Sequence, residues 1–154
     1  MTNPDYFILD VDGVMTTGHF LYSSQGKIFK IFGSHDHDGL KFLKDLINIT
    51  FITADTNGYE ITKKRIVFDM GFQLNLVSEE SRFEYVNKNY DINKLIYMGD
   101  GLYDAKLIKE CLYGIAPLNS REEAKSCADY VTPSRSGEGA VLDACLKIKE
   151  VFFN

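Results

Sequence analysis

The stretch Asp5-Tyr6-Phe7-Ile8-Leu9-Asp10-Val11-Asp12-Gly13 decides how this chain folds. Its apolar run stops at two aspartates and a glycine, as a buried strand does where it runs into a loop. The pattern then repeats. Ile49-Thr50-Phe51-Ile52 ends at Thr53-Ala54-Asp55, Leu74-Asn75-Leu76-Val77 at Ser78, Leu95-Ile96-Tyr97-Met98 at Gly99-Asp100-Gly101, and Tyr113-Gly114-Ile115-Ala116 at Pro117. Between these runs, residues 40–47, 59–70, 81–89 and 103–110 carry apolar side chains three and four apart, which predicts helices. Ser120-Arg121-Glu122-Glu123 reads as a capping box that opens a further helix, and residues 140–151 as a last amphipathic one. Strand and helix alternate, so the expected fold class is α/β, a Rossmann-like parallel sheet with helices on both faces.

One segment breaks the alternation. His19-Phe20-Leu21-Tyr22 and Lys27-Ile28-Phe29-Lys30-Ile31-Phe32 flank Ser23-Ser24-Gln25-Gly26, which predicts a β-hairpin flap over about residues 17–34. Its position makes it overhang the end of the first strand. No other connection is long enough for a lid domain, so a single domain over 1–154 is expected, without a separate cap. Phe20, Tyr22, Phe29 and Phe32 alternate along the flap and suit packing within the hairpin or against another subunit. His35-Asp36-His37-Asp38 lacks the further His or Cys of a zinc set and reads as a polar loop.

Ligands of open α/β sheets bind beyond the carboxyl ends of the strands, where this chain places Asp10, Asp12, Thr53, Asp55, Asp100 and Asp104. Two unit charges ~4 Å apart repel by about 4 kcal/mol even at an effective dielectric near 20, so gathered carboxylates call for a cation. Oxygen ligands with room for water and phosphate suit Mg²⁺, and Asp10 and Asp100 are its expected ligands. Asp10 and Asp12, one residue apart at a strand-to-loop turn, can face the same phosphorus, one attacking and the other moving protons. An Asp-x-Asp-Gly alone is also an ordinary turn; Thr53 and Gly99-Asp100-Gly101-x-x-Asp104 at matching strand ends favour chemistry over that reading.

Asp10-Val11-Asp12-Gly13-Val14 resembles the first motif of the haloacid dehalogenase superfamily of phosphotransferases, Thr53 its second and Gly99-Asp100-Gly101-x-x-Asp104 its fourth. The flap and Ser136-Gly137-Glu138-Gly139-Ala140-Val141 resemble a cap-less branch with 3-deoxy-manno-octulosonate 8-phosphate and ketononulosonate 9-phosphate phosphatases. The resemblance implies that Asp10 is the nucleophile and that Asp12 is the general acid/base, lending its backbone carbonyl to Mg²⁺. It further implies that Thr53 binds the phosphoryl group, Asp100 ligates the metal and Asp104 supports that end of the site. A homotetramer whose subunits complete one another's sites is implied too. The family's third-motif cation is usually Lys; the match here is Arg82, which keeps the charge in a planar fork. Thr53-Ala54-Asp55 replaces the octulosonate branch's Thr-Gly-Arg and looks more like the nonulosonate branch, where Arg65 stands near a substrate-carboxylate position. Asp55 and Arg65 are therefore the candidate specificity residues.

The resulting expectation is an Mg²⁺-dependent phosphatase of a small sugar or sugar-acid phosphate. Two other readings compete: a phospho-accepting receiver domain, and a non-catalytic assembly subunit of the same fold, suggested by Arg82. Seventeen Lys and Arg against twenty-two Asp and Glu give a net charge of −5 without a basic tract, which argues against nucleic acid as a partner. No apolar run approaches the ~20 residues of a membrane helix. Met1-Thr2-Asn3-Pro4-Asp5 lacks a signal peptide's pattern, and three scattered cysteines form no disulfide framework. A cytoplasmic location is expected.

Overall fold

The computed structural model describes residues 2–154. Six strands form one parallel sheet: β1 (Tyr6–Asp10), β4 (Asn48–Thr53), β5 (Gln73–Leu76), β6 (Leu95–Met98), β7 (Tyr113–Ala116) and β8 (Tyr130–Val131), in the order β5-β4-β1-β6-β7-β8. The chain moves outward from β1 to one edge, returns to the far side of β1 at β6, and moves out again. The crevice where this direction reverses, beyond the carboxyl ends of β1 and β6, is where such sheets bind ligands.

Helices α1 (His35–Leu43), α2 (Tyr59–Lys63, continued by a π-helical turn Lys64–Asp69), α3 (Arg82–Asn89), α4 (Ala105–Glu110), α5 (Glu122–Lys125) and α6 (Ala140–Phe152) cover both faces. Successive residues of each strand serve opposite cores. Phe7, Leu9, Phe51, Ile96 and Met98 pack with Leu40 and Leu43 of α1, Ile66 and the α6 residues Ala144, Cys145 and Ile148. Ile8, Ile52, Leu95 and Tyr97 pack with Val86 of α3, Leu107 and Ile108 of α4, and Ala124 of α5. The expected parallel sheet with two covered faces is thus the observed one.

Strands β2 (Thr16–Ser23) and β3 (Gly26–Phe32) pair antiparallel in a hairpin outside this sheet. Phe20, Leu21, Tyr22, Ile28, Phe29 and Ile31 are exposed on it, whereas Lys30 is buried, the reverse of ordinary patterning.

Two expectations need correction, and one strand went unforeseen. The supposed polar loop His35–Asp38 is the first turn of α1. Asp36 is fully buried there because its Oδ1 accepts hydrogen bonds from the backbone N–H groups of Val141 (2.9 Å) and Leu142 (3.3 Å), capping α6 from a neighbouring helix. Ser120 does not cap α5: that helix begins at Glu122 with Arg121 as its flanking residue, and the Ser120 hydroxyl is buried without a partner. The edge strand β8 was not foreseen, because two residues, Tyr130 and Val131, carry no periodicity to read.

Helices α1 and α6 approach closely at Gly39, where an added Cβ would lie 2.7 Å from the Leu142 Cα. Gly39→Ala is expected to destabilise the fold by about 1–3 kcal/mol through overpacking, read as a lower denaturation midpoint in urea.

Candidate active site

Each loop at the carboxyl edge is shaped by its own side chains. After β1, the Val11 carbonyl accepts from the N–H groups of Val14, Met15 and Thr16, while the Thr16 hydroxyl accepts from the N–H groups of Gly13 and Gly18, both at 3.1 Å. Gly13 has a left-handed φ of 82°, and an added Cβ there would collide with the Asp100 carboxylate. Asp100 therefore rests on bare backbone, close against the loop that carries Asp10 and Asp12.

Beyond β6, Asp104 is saturated with donors. Its Oδ2 accepts from the N–H groups of Asp100 (3.0 Å) and Gly101 (2.9 Å), and its Oδ1 from Arg82 Nη1 (2.7 Å) and Tyr97 Oη (2.5 Å). Gly99 leaves the room this requires, since a Cβ there would strike Asp104. Carboxylate oxygens of Asp10, Asp100 and Asp104 lie within 4.8 Å of one another. With both Asp104 oxygens engaged, Asp10 and Asp100 are the two with capacity for a cation.

The electrostatics point the same way. Burial, then the negative charge of Asp104, pushes the Asp100 carboxyl up to about 7. Burial also raises Asp10 well above the usual carboxylate range, with Arg82 opposing and Asp104 and Asp100 reinforcing the shift. Two carboxylates that resist ionising together, held against a glycine backbone, fit a small oxygen-loving divalent cation such as Mg²⁺.

Arg82 is buried at the start of α3, its Nη1 2.7 Å from Asp104 and 3.4 Å from Asp10. Burial works against its charge, but Asp10, Tyr97 and Asp104 outweigh that and hold it firmly cationic. Its Nε is buried without a partner.

A cavity of about 570 Å³ opens over this edge, lined by Asp10, Asp12, Thr53, Asp55, Arg82, Asp100 and Asp104. Seven of the eight predicted site residues thus converge. Arg65 does not line the cavity; it lies on the π-helical turn after α2, where its charge is felt at His37. Sequence reasoning missed Lys27, Lys30 and Tyr97. Lys27 lines the cavity, stands 3.6 Å over the Phe20 ring and pairs with Asp55. Lys30 contacts both Asp12 (2.9 Å) and Asp55 (2.8 Å). The available signal was a lysine interrupting Ile28-Phe29-Lys30-Ile31-Phe32. Tyr97 was disguised as a core residue of β6.

A family profile described as haloacid dehalogenase-like hydrolase matches residues 19–144. The chain belongs to the haloacid dehalogenase-like hydrolases. The 3-deoxy-D-manno-octulosonate 8-phosphate phosphatase of Haemophilus influenzae is 28% identical over 145 residues, covering 91% of this chain and 79% of that protein. The crystal structure of the corresponding Moraxella catarrhalis phosphatase, in complex with magnesium, phosphate and KDO, matches with a TM-score of 0.81 at 27% identity, over 96% of this chain and 86% of that one. A cobalt-bound Haemophilus influenzae form matches with a TM-score of 0.82 at 26% identity, over 96% and 88%. In activity class this member of the family is a phosphatase. The receiver-domain reading is overturned by the family match.

Asp55 is tied to the flap by ion pairs with Lys27 and Lys30. Burial draws its carboxyl upward, but hydrogen bonds from Lys27 and Lys30 and from the Gly58 N–H more than offset this, taking it from 3.8 down to about 2. A depressed carboxyl stabilises the fold above its unfolded value, near pH 4, and loses that contribution as pH falls through about 2. Wild type should therefore exceed Asp55→Asn by about 2 kcal/mol at neutral pH, a gap that closes between about pH 4 and pH 2 in denaturation titrations.

Proposed function

We propose that the chain is an Mg²⁺-dependent phosphomonoesterase acting on a small sugar or sugar-acid phosphate, of the 3-deoxy-octulosonate 8-phosphate or nonulosonate 9-phosphate type, in the cytoplasm. The observation that carries this reading is the pair of carboxylates, buried Asp10 and half-buried Asp100, close together at the sheet's switch point in a chain of this family. Likeness to phosphatases named for octulosonate 8-phosphate supports the substrate class. Three free cysteines suit a reducing compartment.

Carboxylates of Asp10 and Asp100, with the Asp12 carbonyl, would hold the Mg²⁺, which when bound offsets the repulsion between attacking carboxylate and phosphate dianion. An Asp10 oxygen attacks phosphorus, and the bond from phosphorus to the sugar oxygen breaks as Asp12 gives that oxygen a proton. Water then attacks the aspartyl-phosphate, returning a proton to Asp12 and releasing inorganic phosphate. Thr53 and Arg82 hold the phosphoryl oxygens, and Asp104 fixes Arg82 and the Asp100 loop. Asp55, braced by Lys27, faces the sugar's hydroxyls. Arg65 has no part in this arrangement.

The apolar outer surface of the flap supports assembly into a homotetramer in which neighbouring subunits close the cavity. Light scattering at micromolar concentration is expected to give four times the monomer mass, and a monomer there overturns the assembly.

Asp10→Asn is expected to abolish phosphate release, with the circular dichroism spectrum unchanged, in a screen that includes octulosonate and nonulosonate esters. EDTA should silence the wild type and added Mg²⁺ should restore it. Activity in the variant equal to wild type overturns the nucleophile; Mg²⁺ binding without turnover of any ester returns the chain to the non-catalytic reading.

A further inference from the structure

Lys30 stands apart among the cations of this molecule. It projects from β3 of a hairpin whose neighbouring residues Phe29 and Ile31 are exposed, yet its own side chain is wholly withdrawn from solvent. An ammonium group has three donors, and each has an acceptor here: Asp12 Oδ2 at 2.9 Å, Asp55 Oδ2 at 2.8 Å and Thr62 Oγ1 at 2.8 Å. One point charge thereby joins four parts of the chain: the flap, the loop after β1, the loop after β4 and helix α2.

The three acceptors do not depend on it equally. Asp55 keeps Lys27 and the Gly58 N–H as further donors. Asp12 has, besides Lys30, a contact of 3.4 Å from the Thr16 hydroxyl at its other oxygen. The orientation of the Asp12 carboxylate is therefore set mainly by Lys30. A hydrogen bond of that length weakens steeply with misalignment, whereas an ion pair withdrawn from water holds its geometry.

We propose that Lys30 is a positioning residue for the Asp12 proton transfer, so that docking of the flap and orientation of the general acid/base are one event. This rests on the phosphatase reading above, with Asp12 as proton donor to the departing sugar oxygen. The partners of Lys30 are Asp12, Asp55 and Thr62, and do not include the attacking Asp10. Its removal leaves attack by Asp10 intact and misplaces the group that must meet the leaving oxygen, and a misplacement of ~1 Å costs on the order of 10²-fold in rate.

That division of labour gives a readout that loss of fold stability would not move. An alkyl sugar oxygen needs a proton as its bond to phosphorus breaks, whereas p-nitrophenolate leaves without one, and kcat/KM reports the steps through that cleavage. Lys30→Met, close in length and uncharged, is to be compared with wild type on p-nitrophenyl phosphate and on two alkyl esters, 3-deoxy-manno-octulosonate 8-phosphate and glucose 6-phosphate. The expected result is a loss of about 10- to 100-fold in kcat/KM for whichever alkyl ester the wild type hydrolyses, and less than about threefold for the aryl ester. If Lys30→Met does not fold, Thr62→Val removes one of the ammonium's acceptors without a change of volume or charge. It should lower the alkyl-to-aryl ratio in the same direction by about threefold, a smaller loss of orientation. Parallel losses on both kinds of ester, or an unchanged ratio in the folded variants, overturn the role of Lys30 while leaving the phosphatase reading in place. A wild type inert toward all three esters and toward a nonulosonate 9-phosphate, which replaces glucose 6-phosphate in the comparison where only it is hydrolysed, overturns that reading and this inference with it.

Discussion

Crowding of negative charge beyond β1 and β6 is the constraint to which the rest of this structure answers. Asp10, Asp100 and Asp104 are brought within one ion's reach of each other, Asp10 and Asp104 buried and Asp100 half-buried, an arrangement that opposes folding unless each carboxylate is accounted for. The chain meets the demand in two ways. Asp104 is surrounded by four donors, so its charge is spent inside the protein. Asp10 and Asp100 are left under-compensated, which is the state of a site made to receive positive charge from outside.

Arg82 belongs to the first of these two answers. A lysine would offer one compact charge, whereas the guanidinium reaches Asp104 and lies near Asp10 while its planar head stays buried. Tyr97 lends its hydroxyl to the same Asp104 oxygen from the middle of a core strand. The site is therefore founded partly in the hydrophobic layer beneath it. The sheet does more than present loops: β6 contributes both a packing residue and a polar strut in a single side chain.

The sheet was legible because β1, β4, β6 and β7 are short buried runs with abrupt polar ends, and a strand covered on both faces has little choice of composition. The site's acidic half was legible for a related reason: aspartates placed where runs stop are displaced from any core pattern. Its cationic half was hidden. Lys27 and Lys30 sit in a hairpin among Ile28, Phe29, Ile31 and Phe32, where charged side chains ordinarily turn to solvent; here tertiary attraction from Asp12 and Asp55 turned them inward. Arg65, proposed from resemblance alone and not from any local pattern, stands on the π-helical turn that continues α2, away from the cavity lining. Asp36 was unreadable locally, since its partners, the amides of Val141 and Leu142, are a hundred residues away.

The hairpin is fastened by charge on its inner side and greasy on its outer side. These two attachments answer to different solvents. Ions in solution scarcely weaken a pair that water does not reach, while a mild detergent competes directly for exposed aromatic and aliphatic groups. The subunit contacts proposed for Tyr22, Phe29 and their neighbours would accordingly dissolve without unfastening Lys30 beneath them, so the order of the reaction centre and the proposed gathering of subunits are separable by choice of additive.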